Sequence, residues 1–383
     1  MRSSRRGAVD PFIVMDVMEA ARAAEAAGRH VIHMEVGQPG TPAPEGARRA
    51  LALAMEAGPL GYTVALGLPE LRARIAAMYR ARHGVDLDPA RVIVTSGSSG
   101  AFLLAFTALF DAGDRVALGD PGYPSYRQIL KALSLEPVGI PTRPGDRLQP
   151  VPDTVPDDVQ GLIVASPANP TGTMLDRAAM GDLIEACGAE GMSFISDEIY
   201  HGIEYERDAV TALSLTDDVH VINSFSKYFS MTGWRIGWMV VPEAHIRTVE
   251  RLAQNMFICA PHASQVAALA AMDATEELDA NLAVYRRNRE LMIDGLARAG
   301  FADIAPPDGA FYIYADVSRY TDDSVAMARD ILERAGVAVT PGLDFDKARG
   351  GGKLRFSYAR STADIEEGLA RLETYMRDKG YIS

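Results

Sequence analysis

The sequence predicts an α/β protein built on a largely parallel sheet, and three observations carry that reading. Short β-branched or apolar runs alternate with Ala/Leu-rich helical patterns, as expected of strands joined by helical crossovers. Most of those runs end in polar clusters, and in open α/β sheets the carboxyl ends of strands are where ligands bind. A length of 383 residues is too great for one small core and favours one large plus one smaller domain.

The elements follow in order. "FIVMDVMEAARAAEAAG" is broken by Asp16, Glu19, Arg22 and Glu25, so it reads as an amphipathic helix rather than a membrane span. "VIHMEVG" is a short strand. "RVIVTSG" (91–97) runs from strand into turn, "AFLLAFTALFDAG" (101–113) is the helix after it, and "DRVALGD" (114–120) is the next strand. "GLIVAS" (161–166), "MSFISD" (192–197), "VHVINS" (219–224) and "RIGWMVV" (235–241) complete the series. The last carries its polar residue at the start, as an antiparallel member of a mixed sheet would. A helix near 275–300 leads to further helical patterns and to "GAFYIYADV" (309–317) and "KLRFSYA" (353–359). The division expected is a large domain over 45–280, with 1–44 and 281–383 together forming the small one.

A net charge of −13 argues against nonspecific nucleic-acid binding, although it leaves room for a local anion pocket. The two cysteines, Cys187 and Cys259, lack metal-ligand spacing and fit reduced thiols better than a disulfide scaffold. No apolar run of signal-peptide length follows the basic start, so a soluble, cytoplasmic protein without membrane contact is expected. The seven histidines form no ligand-spaced cluster, so no metal is expected. His201, beside Tyr200, reads as structural, and Met15, Met18 and Met34 read as core fillers.

Chemistry concentrates at the predicted strand ends. Lys227 lies in "SFSKYFSMTGWRIGW" (224–238), among serines and aromatics, with no acid in that stretch to pair it. It is either a surface lysine or a desolvated amine, and a desolvated amine near another cation becomes a nucleophile toward carbonyls. Arg235 is a candidate for that cation. "SGSSGA" opens a helix, where backbone N–H groups and hydroxyls suit a phosphate. Such a turn can also be merely structural, but Ser224 and Arg235 strengthen the anion reading. Neither GxxxxGK[ST] nor a dinucleotide fingerprint is present. Asp197 ends an apolar strand, so it needs a cation or several donors, or it caps the next helix. "DEIY" puts Tyr200 one helical turn further on. Asn169, in "SPANPTG", is otherwise a turn residue before proline.

One ligand meets all these demands: pyridoxal 5′-phosphate. Its aldehyde needs a lysine, its phosphate a nest plus arginine, and its ring nitrogen a carboxylate. Its phenolic oxygen wants donors such as Tyr200 and Asn169, and its ring wants a flat partner such as Tyr123.

The ordered set "VGQP", "GYTVALGLPELR", "SPANPTG", "DEIY", "SFSKYFSMTGWRIGW", "GAFY" and "LRFSYA" resembles the class I/II aminotransferases of pyridoxal-phosphate fold type I, the aspartate aminotransferase superfamily, over nearly the whole chain. The resemblance implies a three-layer αβα large domain with a mostly parallel, mixed seven-stranded sheet, plus a smaller α+β domain. It implies that Lys227 holds the cofactor's aldehyde, that Asp197 pairs with the ring nitrogen, and that Tyr200 and Asn169 bond the phenolate oxygen. Gly97, Ser98 and Ser99 would hold the phosphate with Ser224 and Arg235, and Tyr62 would reach the phosphate of a neighbouring subunit. Arg355 would bind the substrate carboxylate beside the Gly37 backbone, with Arg360 as its rival. Tyr123 stands where some aspartate-active members stack a tryptophan. No second arginine for a side-chain carboxylate is identifiable.

The function so implied is a ping-pong transfer of an amino group between an L-amino acid and a 2-oxo acid, in a homodimer with its site at the subunit interface. Lys227, Asp197 and Tyr200 would carry the catalysis. The alternatives are a carbon–sulfur β-lyase or a decarboxylase on the same fold, or a non-enzymatic cofactor-binding regulator. Such regulators usually carry an N-terminal DNA-binding module, for which the chain before "GYTVALG" is too short. Phe12, Ile13 and Phe257 are candidates for the substrate pocket.

Overall fold

The computed structural model describes residues 2–383. The chain opens with α1 (Ile13–Ala26), β1 (Ile32–His33), α2 (Glu45–Ala57) and α3 (Pro69–His83). Helix α3 has proline in its first turn, where a missing N–H costs nothing, and ends at Gly84 in the left-handed conformation. Next come β2 (Val92–Thr95), α4 (Gly97–Leu109), β3 (Arg115–Asp120), α5 (Pro124–Ala132), β4 (Glu136–Pro141) and β5 (Gly161–Ala165). They are followed by α6 (Arg177–Ala189), β6 (Ser193–Asp197), β7 (His220–Ser224) and β8 (Gly237–Val240). Asp176 caps α6 by accepting from the Ala179 N–H at 2.9 Å.

Strands β2 to β8 form one seven-stranded sheet in the order β2-β8-β7-β6-β5-β3-β4. Strand β8 runs antiparallel to both β2 and β7, as its polar start predicts, and the other neighbours are parallel. Strand β4 escapes the sequence reading, because Pro137 and Pro141 make its run look like a loop. Proline is tolerated there because β4 is an edge strand.

Alternate side chains of the sheet feed two apolar layers. Val116, Leu118, Ile163, Ile195 and Ile222 pack against α4, α5 and α7 (Ile246–Met256). Ala117, Leu162, Val164, Phe194 and Val221 pack on the opposite side against α3, α6 and α8 (His262–Ala271). The result is the expected three-layer αβα arrangement. Both faces of the central strands are covered, which is why these strands read as continuous apolar runs rather than alternating ones.

The long α9 (Thr275–Arg298) leads to β9 (Tyr312–Asp316), α10 (Ser324–Ala335), β10 (Val337–Ala338), β11 (Thr340–Pro341), β12 (Lys353–Ser357) and α11 (Thr362–Asp378). Strand β10 pairs in parallel with β1, bringing the two ends of the chain together. Strands β11, β12 and β9 form an antiparallel sheet in which Arg355 lies opposite Thr340 on one side and Tyr314 on the other. Among the described residues no helix is long and apolar enough to cross a membrane.

Candidate active site

Strands β5, β6 and β7 are adjacent and parallel, with Ala165 level with Asp197 and Asp197 level with Ile222. Their carboxyl ends therefore deliver Asn169, Asp197 and Lys227 to one rim. There they line a cavity of about 170 Å³, together with Gly37, Ser98, Ser99, Tyr123, Tyr200, Arg235 and Arg355. A larger cleft of about 280 Å³ includes Arg349 and Lys353. Both of its cations are already paired, Lys353 with Asp316 and Arg349 with Asp346.

The amine of Lys227 donates to the Gly37 carbonyl at 2.6 Å. Burial pushes its pKa down to about 7, helped by the charges of Arg355 and then Arg235, while Asp197 opposes the shift. Arg235 is thus one of two cations acting on this lysine, and the smaller influence. Asp197 is 4% exposed, and burial raises it to about 7. Its carboxylate accepts from the Ile199 N–H at 3.1 Å and from the Tyr126 hydroxyl. The Tyr200 hydroxyl lies 2.8 Å from that of Tyr312, and the Lys227 amine stands 5.7 Å from the Tyr200 ring centre.

Arg355 is held on every side. Its guanidinium sits 4.4 Å from the Tyr312 ring centre and 4.7 Å from that of Phe345, so it is sandwiched between two aromatic faces. It donates to Asn169 Oδ1 at 2.8 Å, to Thr340 Oγ1 at 3.2 Å and to the Glu35 carbonyl. Its Nε is buried and has no hydrogen-bond partner among the described residues. Held in this way and lining the cavity, the guanidinium is pre-oriented for a carboxylate.

Also at the cavity, α4 begins directly after β2, and its first turn presents Ser98 and Ser99. Gly97 makes this junction at φ +70°, and a Cβ there would stand 2.5 Å from Arg235 Nη2. Only glycine allows that close approach of guanidinium to helix start. The pairing of an arginine with the positive end of a helix makes an anion cradle.

Other candidates lie elsewhere. Ser224 Oγ is 2.5 Å from Ser226 Oγ and 3.1 Å from the Ile236 carbonyl, so Ser226 lines the cavity and Ser224 stands behind it. Tyr62 is 82% exposed and outside the cavity. Arg360, Ile13 and Phe257 do not line it, whereas Phe12 does. Met15, expected in the core, is half exposed and borders the cavity. His201 is buried, with Nε2 3.0 Å from the Ser166 carbonyl, as a structural histidine should be. Sequence reasoning missed Tyr126 and Tyr312. Tyr126 had a signal, since it lies three residues after Tyr123 at the start of a proline-led helix.

The chain as a whole is similar to known proteins. The family model for aminotransferase class I and II matches residues 29–372. The chain belongs to that family. It is 48% identical over 382 residues to a valine–pyruvate aminotransferase of Mycobacterium tuberculosis, covering 98% of each chain. A solved structure from Silicibacter pomeroyi matches at TM-score 0.95 and 70% identity, over 99% of this chain and 100% of that one. The aspartate aminotransferase of Thermus thermophilus with maleate matches at TM-score 0.90 and 30% identity, over 98% and 100%.

The protein is therefore a pyridoxal-phosphate-dependent aminotransferase that moves amino groups between an amino acid and a 2-oxo acid. The lyase, decarboxylase and regulator readings are not favoured. The residues present fit the cofactor: a depressed lysine for the aldehyde, a glycine-floored cradle for the phosphate and a buried carboxyl lining the same cavity.

Proposed function

We propose that this enzyme transfers the amino group of a neutral, apolar L-amino acid to a small 2-oxo acid by a ping-pong mechanism. The observation that carries this reading is the composition of the cavity. Its arginines are Arg235 and Arg355, and its remaining wall includes Phe12, Val14, Met15 and Val36. With Arg235 engaged by the phosphate and Arg355 by the substrate carboxylate, no arginine is left for a second carboxylate. The name of the M. tuberculosis relative supports valine as donor and pyruvate as acceptor.

In this reading Lys227, Asp197 and Tyr200 carry the catalysis. Bound pyridoxal phosphate supplies an aldehyde that captures the amine and a ring that accepts electrons. Gly97, Ser98, Ser99 and Arg235 would hold the phosphate, with Ser224 supporting Ser226 from behind, and Tyr123 would cover the ring. Asp197 keeps a proton on the ring nitrogen, and Tyr200 and Asn169 bond the phenolic oxygen. Arg355 and the Gly37 backbone fix the substrate carboxylate, which orients the Cα–H bond toward Lys227. The Lys227 amine would take up the Cα proton and release it again within the same site. A pKa near 7 suits that shuttle, since the group must both accept and release a proton at neutral pH.

The reading extends to a cytoplasmic homodimer, with residues 45–280 as the large domain and 1–44 with 281–383 as the small one. Tyr62, Val64 and Ile258 form exposed apolar surface at 82%, 58% and 50%, which supports cover by a second copy. Two unpaired cysteines support a reducing compartment.

A panel of single amino acids incubated with the holoenzyme, followed by absorbance, tests the donor class. Valine, leucine and alanine should convert the cofactor to its amine form and then stop. Faster conversion by aspartate or glutamate would overturn the apolar assignment.

A further inference from the structure

The N-cap Phe12 and the α1 residues Val14 and Met15 line the cavity, yet the first turn of α1 lies outside the apolar cluster that anchors the helix further along. Met15 is 54% exposed, and of the fourteen helix residues only Val14 and Ala21 are buried. The apolar contacts of α1 lie further along, where Val17, Ala21 and Ala24 meet Val31, Leu332 and Ala338. The helix also lacks a cap of its own, since Phe12 occupies the N-cap position.

The cap comes from across the fold. Asp344 accepts from the Ile13 N–H through Oδ1 at 2.9 Å and from the Val14 N–H through Oδ2 at 3.2 Å. Both carboxylate oxygens thus satisfy orphan donors at the positive end of α1. The next residue, Phe345, stacks on the Arg355 guanidinium at 4.7 Å, and its carbonyl accepts from the Gly122 N–H at 3.1 Å, one residue before Tyr123. Two further residues reinforce the attachment. Lys347 pairs with Asp10 just ahead of α1, and Arg349 donates to the Thr142 and Asp120 carbonyls.

We propose that Asp344 is a positioning residue: it holds the first turn of α1 as the side-chain wall of the substrate pocket, at a fixed distance from Arg355. Residues 344 and 345 then set two dimensions of the pocket together, where the carboxylate is gripped and where the side chain must end. The proposal rests on reading this cavity as the substrate pocket. It makes donor choice depend on a carboxylate that touches no substrate.

The test is hydrogen exchange and kinetics on the cofactor-saturated holoenzyme carrying Asp344→Ala or Asp344→Asn. Removing a helix cap should speed exchange in the peptide covering residues 10–17 by about tenfold in the alanine variant, and less in the asparagine variant, which keeps one acceptor. The central sheet should be unaffected. The KM for valine should rise about tenfold and that for alanine less than about threefold, with kcat nearly unchanged. Unchanged exchange at 10–17 in both variants overturns the cap. Faster exchange with KM rising equally for valine and alanine overturns the pocket role. If the alanine variant is insoluble, the asparagine variant decides by the same criteria. Faster exchange in the variants, alongside a wild-type enzyme that accepts neither amino acid, would instead overturn the substrate reading and leave the cap standing.

Discussion

The proposed cofactor side of the cavity and its substrate side are assembled differently. Asn169, Asp197 and Lys227 follow three neighbouring strands whose register is fixed by backbone hydrogen bonds. Phe12, Gly37, Tyr312 and Arg355 come from opposite ends of the chain and meet only because β1 pairs with β10 and β12 with β9. The first half is carried by a sheet covered on both faces. The second depends on a few side-chain ties, such as Asp344 to α1 and Phe345 to Arg355. A change in the first half should therefore remove function, and a change in the second should retune it.

The largest effect is expected at Lys227. Lys227→Met should cut turnover by roughly 10⁴-fold or more, because it removes both the attachment point and the proton shuttle. The same substitution should stabilise the cofactor-stripped protein. Burial lowers Lys227 from its ordinary 10.5 to about 7, so between those values the unfolded chain holds a proton that the folded chain has released. Stability then rises with pH across that window, and the cost of the lysine is greatest below about 7. Lys227→Met should gain on the order of 5 kcal/mol at pH 6 and less than about 1 kcal/mol above pH 10. Asp197 has the opposite sign: raised from 3.8 to about 7, its folded form retains a proton, so it costs stability as pH climbs through that range. Urea denaturation of both forms at pH 6 and pH 10 would check the sign.

Arg355→Lys tests the other half. A lysine keeps the charge but loses the fork and the aromatic sandwich, so KM for amino acids should rise about a hundredfold while kcat falls much less. An equal fall in kcat and kcat/KM, with KM unchanged, would mean that Arg355 acts only in the transition state.

The same contrast explains what the sequence made legible. Strand ends and the turns that follow them are contiguous, so "SPANPTG", "DEIY" and "SFSKYF" could be read directly. Tyr312 lay inside a quoted motif, but its contact with Tyr200 joins residues 112 apart, and no local pattern announces it. Asp344 gave even less, because its partners are the backbone N–H groups of Ile13 and Val14, which every residue type except proline supplies. Strand β4 was hidden by prolines that only an edge position permits. Met15 read as core because composition does not distinguish an apolar side chain facing a core from one facing a pocket.

Tyr126 lies between the two halves and offers a finer probe. Its hydroxyl donates to Asp197 and opposes the upward push of burial. Tyr126→Phe should raise the Asp197 pKa further above about 7 and lower turnover about fivefold to tenfold. The infrared carboxyl band of the cofactor-stripped protein at pH 7 should show more protonated acid. An unchanged band would mean that burial, the Ile199 N–H and Lys227 set the ionisation of Asp197 without Tyr126.

The smallest effect should fall on Phe12, whose ring meets Tyr123 edge-on at a centroid distance of 5.9 Å and borders the cavity. Phe12→Ala removes part of the apolar wall without touching Arg355, Lys227 or Asp197. One methylene-sized contact is worth about 1 kcal/mol, so KM should rise about fivefold for valine or leucine. For alanine, whose side chain ends short of that wall, KM should hardly move. The ratio of the two KM values is the quantity to measure, because a general loosening of the site would raise both together. A ratio that stays constant would assign the apolar wall to the cofactor side and erase the contrast between the halves.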